Sequence, residues 1–351
     1  MNLDQYTQFS KLDPSDMLSH IVGLPEQLQK AWELGLSLNL PSMQPVNRVV
    51  IAGMGGSAIG ADLLASYLSD KATVPVFIQR DYGLPAFAFG KETLVVVSSH
   101  SGNTEESLSA FEAASRSKCQ IVVVTTGGRA MDEAQSLGVP VWSFVHKGQP
   151  RAAVGFSFGL LLALFVRLGL ISDLSQDVNK TVNLMQEFRK ELTVESPIKN
   201  NPAKRLAGQL VGRHVTIFGS GFMAPVARRW KCQINEVAKA IASFEILPEA
   251  DHNTLSGICY PQETLDKEIA IFLQASCDQP RNQKRVIETR QIMMTEGLNT
   301  DLINAKGDNR LEQMWTSILY GDFVSYYLAM QYEVDPTAIE PIWALKEAMS
   351  K

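Results

Sequence analysis

Two short stretches of this sequence carry residue types suited to holding an anion. The first is Gly53-Met54-Gly55-Gly56-Ser57. Its glycines let the backbone approach a ligand closely and adopt positive φ. At a helix start, the first N–H groups have no intrahelical acceptor and carry partial positive charge. The second is Ser99-His100-Ser101-Gly102-Asn103-Thr104, which places three hydroxyls within six residues. Hydroxyls and amides together wrap a phosphate without needing lysine. Each stretch alone also fits a plainer role, a tight turn for the first and a helix cap with polar loop filler for the second. The first further fits a looser dinucleotide fingerprint, Gly53-x-Gly55-x-x-Ala58, with Asp81 placed to reach a ribose. Against that fingerprint, Arg80-Asp81 reads more simply as a strand-end pair, and the hydroxyl-rich stretch is no part of a dinucleotide pattern.

Each stretch follows a short apolar run. Residues 48–52 (RVVIA) and 93–97 read as buried parallel strands. Further strands are expected at 74–78, 121–125 and 139–144, with helices over 59–68, 104–115 and 131–137. Such alternation predicts a doubly wound parallel sheet, whose ligands sit beyond the carboxyl ends of the strands. Both anion-holding stretches fall there. Ahead of this region, residues 17–38 have helical spacing, with Pro25 in a first turn or dividing the run. Behind it come a long buried helix over 151–170 and a more polar one over 174–192. Residues 196–204 contain two prolines and two asparagines and mark a boundary. The alternation then restarts: a strand at 215–218 followed by Gly-Ser-Gly, a helix over 225–242, a strand at 268–273, and helices over 281–294 and 314–330. IAGMGGSAIGADLLASYL and IFGSGFMAPVARRWKCQI share the order apolar strand, glycine-rich turn, helix, as two similar α/β lobes would. The expected architecture is two doubly wound parallel-sheet lobes, each a three-layer αβα stack, with helical N- and C-terminal segments. The expected divisions are a helical lead-in at 1–44, a first lobe at 45–170, a helical linker at 171–203, and a second lobe with C-terminal helices at 204–351.

Composition narrows the function. The 351 residues include 32 Lys+Arg against 37 Asp+Glu, a net charge of -5, which argues against a broad nucleic-acid footprint. An anionic ligand must then be held by local geometry. The four cysteines, Cys119, Cys232, Cys259 and Cys277, form no C-x-x-C pair and read as reduced thiols. The first residues are polar, without the apolar core of a secretory signal. The uncharged run at 152–166 is shorter than the ~20 residues of a membrane span and reads as a buried helix. A cytoplasmic protein with no membrane or nucleic-acid partner is expected.

Taken in order, GMGGSAIGADLL, SSHSGNTEESL, QPRAAVGFSFG, NEVAKA, PEADHNTLSG and DPTAIEPIWALK resemble the bifunctional phosphoglucose/phosphomannose isomerases of the sugar isomerase (SIS) superfamily. The resemblance runs from about residue 45 to 350. It implies two SIS lobes, a sugar phosphate as the small-molecule partner, no cofactor or metal, and a homodimer that completes each site. It implies phosphate ligands at Ser57, Ser99, Ser101 and Thr104 with backbone from Gly55 and Gly56. It also implies Glu236 as base, His252 as ring-opening group, Arg151 as charge stabiliser and Lys346 as a C-terminal active-site lysine. The family often has an aromatic residue where this chain has His100, and asparagine where it has Val237.

The residues suit the chemistry. Moving a carbonyl between C1 and C2 of a sugar phosphate requires an anchored phosphate, ring opening, a proton-transferring base and stabilisation of an enediolate. Glu236 lies in a helical pattern among Ile234, Val237, Ala238 and Ala240; spacing alone equally allows a solvated helix glutamate paired with Lys239 or Arg229. His252 lies in an irregular polar stretch and suits proton shuttling near neutral pH, or is satisfied within its loop. Arg151 opens an apolar helix, where the helix dipole does not favour a cation. Lys346 reads from spacing as a solvated charge near a helix end. No H-E-x-x-H, Cys–His cluster or calcium loop is present. A non-catalytic sugar-phosphate-binding SIS protein and an NAD(P)-dependent dehydrogenase are the alternative readings.

Overall fold

The computed structural model describes residues 1–349. In chain order the first half contains α1 (Met17–Val22), α2 (Leu24–Ser37), β1 (Arg48–Ala52), α3 (Gly55–Tyr67), β2 (Val76–Gln79), β3 (Thr93–Ser99), α4 (Glu105–Arg116), β4 (Gln120–Thr125), α5 (Gly128–Ser136), β5 (Val141–Ser143) and α6 (Val154–Arg167). The second half contains α7 (Ser175–Leu192), α8 (Pro202–Leu210), β6 (His214–Ser220), α9 (Ala224–Glu236), β7 (Ala242–Leu247), β8 (Glu268–Gln274), α10 (Pro280–Thr295), β9 (Asn299–Asn304), α11 (Arg310–Gln331) and α12 (Glu340–Met349). The chain forms two compact units, one of Gly23–Asn183 and one of Met1–Val22 together with the chain from Leu184 onward. The expected lead-in is thus shared between the units, and the division within the expected linker falls inside α7.

In the unit 23–183 the strands are all parallel, in the order β2-β1-β3-β4-β5. The chain leaves β1 for one side and returns as β3 on the other, so the switch point lies between these two strands, where ligands of open α/β sheets bind. β3 is central and buried along all seven residues. Its apolar side chains pack with Val50, Phe111, Val123 and Ala134. α6 is buried from Val154 through Phe165. By length and composition the segment Pro150–Arg167 could cross a membrane, yet 83% of it is buried inside the fold. Small residues let α6 approach α2: a Cβ on Gly35 would lie 2.5 Å from the Ala163 Cβ, and one on Gly159 2.7 Å from that of Ala31.

The other unit repeats the plan with a parallel sheet ordered β7-β6-β8-β9. This is the same sequence of moves, first strand central and second strand outward, which bears out the internal likeness of the two glycine-turn segments. α11 is buried from Leu311 through Met330 and is the core helix of this unit. The leading residues pack on it, with Phe9 meeting Tyr326 edge to face at 6.1 Å.

Two sequence expectations need correction. The helix expected over 225–242 stops at Glu236, and 242–247 is strand β7. Lys239 takes a left-handed φ of 55°, the backbone turn that closes a helix C-terminus. β9 was not anticipated: its sequence NTDLIN is polar and half-exposed, as an edge strand can be.

Candidate active site

The glycine stretch joins β1 to α3. Gly53 passes so close to β3 that a Cβ there would lie 2.7 Å from the Ser98 carbonyl oxygen. Gly55 has φ +50° and begins α3, so the first-turn amides of Gly55 and Gly56 lack intrahelical acceptors. Gly56 lies against the turn at 150–151: an added Cβ would be 2.5 Å from the Pro150 carbonyl oxygen and 3.0 Å from the Arg151 amide nitrogen. Ser57 and Arg151 are both buried, at 5% and 3% exposure. Gln27 supports this corner, donating to the Ala152 carbonyl at 2.9 Å and accepting from the Gly155 amide at 2.7 Å.

The hydroxyl stretch joins β3 to α4. Ser99 Oγ donates to Thr104 Oγ1 at 3.1 Å and accepts from the Gly102 amide at 3.2 Å. Ser101 Oγ accepts from the Asn103 amide at 3.2 Å. Ser99 is buried and Ser101 exposed. A second loop, after β4, pins this one. Thr126 donates to the His100 carbonyl through its amide and through Oγ1, at 3.1 and 2.7 Å. The Ala130 amide donates to the Gly102 carbonyl at 2.9 Å, and the Arg129 amide to Asn103 Oδ1 at 3.0 Å. Only a glycine fits at 102, where a Cβ would collide with the Gly127 carbonyl. Thr126 and the 127–128 glycines escaped the sequence reading. Their signal is the run TTGG directly after a strand.

Six expected phosphate ligands and Arg151 thus belong to one unit, at the carboxyl ends of β1 and β3. The remaining expected residues belong to the other unit. Glu236 is the half-buried last residue of α9. Arg229 pairs with Asp322 at 2.6 Å, and Lys239 Nζ donates to the Glu236 backbone carbonyl at 2.8 Å. Gln233 also donates to Asp322, at 3.0 Å, and Trp230 to the Ser317 carbonyl, at 2.9 Å. These bonds fix the rotation of α9 about its axis and so the direction of its last turn. His252 is exposed in the short turn 249–252 that follows β7. Its neighbour Asp251 is held by Arg285 at 2.8 Å and Thr289 at 2.7 Å. Lys346 is exposed on α12.

The second unit has its own glycine turn at the switch between β6 and β8, and that turn is filled from within. Asp278 accepts from Ser220 Oγ at 2.5 Å and from the Gln279 amide at 2.7 Å. A Cβ on Gly221 would lie 2.3 Å from the Asp278 carboxylate. A carboxylate of the chain itself therefore sits where an external anion would have to enter. Only the cradle at β1 and β3 has no acidic side chain built into it in this way among the described residues.

The dinucleotide reading loses its support here. Asp81 accepts from the next amide, Tyr82 N, at 2.7 Å. Arg80 pairs with Asp62, not Asp81. The strand order 2-1-3-4-5 is not the 3-2-1-4-5-6 of dinucleotide domains. Among the described residues no group of three His, Cys, Asp or Glu side chains could hold a metal ion.

Solved structures share this parallel-sheet α/β fold. A hypothetical protein from Thermus thermophilus superposes with a TM-score of 0.74 at 14% identity, covering 99% of this chain and 93% of that one. The tagatose-6-phosphate ketose/aldose isomerase from Escherichia coli gives 0.70 at 15% identity, covering 92% and 95%. Residues 199–349 match the family model of the bacterial phospho-glucose isomerase C-terminal SIS domain. A bifunctional phosphoglucose/phosphomannose isomerase from Caldicellulosiruptor bescii is 39% identical over 95% of this chain and 99% of its own length. One from Thermoplasma acidophilum is 32% identical over 87% and 90%. The chain belongs to the bifunctional phosphoglucose/phosphomannose isomerase family.

Proposed function

We propose that this protein interconverts glucose 6-phosphate and mannose 6-phosphate with fructose 6-phosphate. The observation that carries the proposal is the cradle of amides and hydroxyls at the β1–β3 switch point, with the Arg151 turn packed on Gly56, in a chain of this family. The phosphate is held by the Gly55 and Gly56 amides and the hydroxyls of Ser57, Ser99, Ser101 and Thr104. His252 moves the proton between the ring oxygen and the anomeric hydroxyl. The Glu236 carboxylate takes the C2 proton of the open aldose; the electron pair left behind forms the C1–C2 double bond as O1 takes up a proton. Returning the carbon proton to C1, with loss of the O2 proton, yields the ketose. C2 of the enediol is planar, so glucose and mannose phosphates share one intermediate. Arg151 balances the developing enediolate charge, and its guanidinium keeps that charge at any working pH. Lys346 is assigned to the same site by family resemblance. The test is incubation with fructose 6-phosphate and an assay of both aldoses. Turnover lost in Glu236→Gln supports the reading, and a wild type that turns over neither sugar refutes it.

We place the protein in the cytoplasm as a homodimer. Four free, half-buried thiols suit a reducing compartment. α12 has no buried residue, and Ile342, Trp343, Leu345 and Met349 are exposed at 39%, 48%, 62% and 66%. Such an apolar helix suits coverage by a second copy. Sedimentation of the wild type and of Trp343→Glu tests this: a dimer that Trp343→Glu dissociates is expected, and a monomeric wild type refutes it.

A further inference from the structure

The proposed phosphate loop contains two imidazoles in contact, a feature the reaction above does not use. His100 lies between Ser99 and Ser101, and its Nε2 is 3.0 Å from Nδ1 of His146. The rings meet edge to face at 5.1 Å and 85°. Phe144 packs against the His100 ring and Phe156 against that of His146, and the two phenyl rings stack on each other at 4.8 Å. With its carbonyl also pinned by Thr126, His100 has a fixed ring orientation. Its Nε2 is engaged, and its Nδ1 makes no hydrogen bond among the described residues. Nδ1 is bonded to Cγ, so it stays near the loop backbone where Ser99 and Ser101 sit.

A neutral imidazole has one donor and one acceptor nitrogen. The His100–His146 contact therefore has two arrangements. In one, His100 Nε2–H donates to His146, leaving a bare lone pair on His100 Nδ1. In the other, His146 Nδ1–H donates to His100 Nε2, and the His100 proton sits on Nδ1. A phosphate dianion accepts hydrogen bonds and is repelled by a lone pair, so it selects the second arrangement. We infer that His146 is a positioning residue that sets the tautomer of His100, making His100 Nδ1–H a further phosphate donor beside the hydroxyls and amides. Burial lowers the pKa of His100 below its ordinary 6.5. Its ring neighbours are the apolar Phe144 and the titratable His146, and no charged side chain contributes to that shift. Without a ligand the ring therefore favours its neutral form near pH 7, in which the proton on Nδ1 is set by the tautomer.

This inference rests on the phosphate reading of the loop, and its test separates the two. Wild type, His146→Leu and His146→Asn, labelled with nitrogen-15 histidine, are titrated with inorganic phosphate near neutral pH and followed by NMR. Asparagine places an amide nitrogen where histidine has Nδ1, so it still donates; leucine cannot. Phosphate is expected to drive His100 of the wild type to the Nδ1–H form, a readout that requires no variant. His146→Leu should weaken phosphate binding about tenfold, as loss of one hydrogen bond to a charged group does, and His146→Asn should restore most of it. A His100 that stays protonated on Nε2 with phosphate bound overturns the inference, as does equal phosphate affinity in His146→Leu and wild type. A wild type that binds no phosphate overturns both the inference and the cradle. Phosphate binding with the tautomer change but no sugar turnover refutes the isomerase reading and leaves the inference standing.

Discussion

Replacing Gly56 with alanine probes the packing on which the proposed phosphate cradle stands. The new Cβ would lie 2.5 Å from the Pro150 oxygen, 2.7 Å from the Pro150 carbonyl carbon and 3.0 Å from the Arg151 nitrogen. Ordinary contact begins at 3.4 Å, so relief requires 3.4 − 2.5 = 0.9 Å of movement. All three atoms are main chain, and none can rotate aside. Either the first turn of α3 or the 150–151 turn must shift, and each shift moves the Gly55 and Gly56 amides relative to Arg151. Overpacking of this kind costs about 1–3 kcal/mol of stability. Misplacing reactive groups by ~1 Å costs about 10²-fold in rate. The assay is kcat/KM on fructose 6-phosphate, with thermal melting on the same samples. Gly208→Ala is the comparison: it lies in α8, where an added Cβ meets nothing within 4 Å. Alanine in a helix interior is favoured over glycine by about 1 kcal/mol, so Gly208→Ala should melt higher and turn over normally. If Gly56→Ala keeps both its melting point and its kcat/KM, the 150–151 turn does not register the cradle as argued here.

Glu236→Gln should lose about 10²–10⁴ of the rate expected of a general base. Its stability should hold or rise, because a carboxylate at the carbonyl end of α9 opposes the helix dipole by roughly 0.3–1 kcal/mol; urea titration beside the activity assay reads both. Because burial lowers the pKa of His100, the unfolded chain takes up its proton first on acidification. That increment of stability is present above about 6.5 and is lost as pH falls from 6.5 towards the lower folded value. His100→Phe should flatten this part of a stability-against-pH curve, and an unchanged curve would dismiss the assignment. Asp278→Ala removes two hydrogen bonds to a carboxylate and should cost about 2–4 kcal/mol. Inorganic phosphate should then raise its melting point by more than it raises that of the wild type; equal gains would mean that Asp278 does not stand in for an anion.

Much of the fold was legible because burial writes itself into local pattern. β1 and β3 are apolar runs ending in glycine or serine, and the central strands of a parallel sheet must be apolar on both faces. Two rounds of that pattern announced two lobes, and the two stretches proposed to hold an anion lie at strand ends whatever the details of packing. β7 and β9 were not legible. They are edge strands with one ladder partner each, and their half-exposed residues need no hydrophobic run. The end of α9 was set by a left-handed turn at Lys239, a conformation that lysine does not advertise. The amino-acid order alone determined which backbone and hydroxyl groups make up the proposed cradle, since these are neighbours along the chain. Only tertiary structure decided what fixes them: Arg151 against Gly56, Thr126 on His100, His146 on His100, Asp278 in the second glycine turn. Each partner follows a different strand from the group it holds, and the parallel crossovers that bring those strand ends together separate the two by tens of residues, beyond the reach of any local pattern.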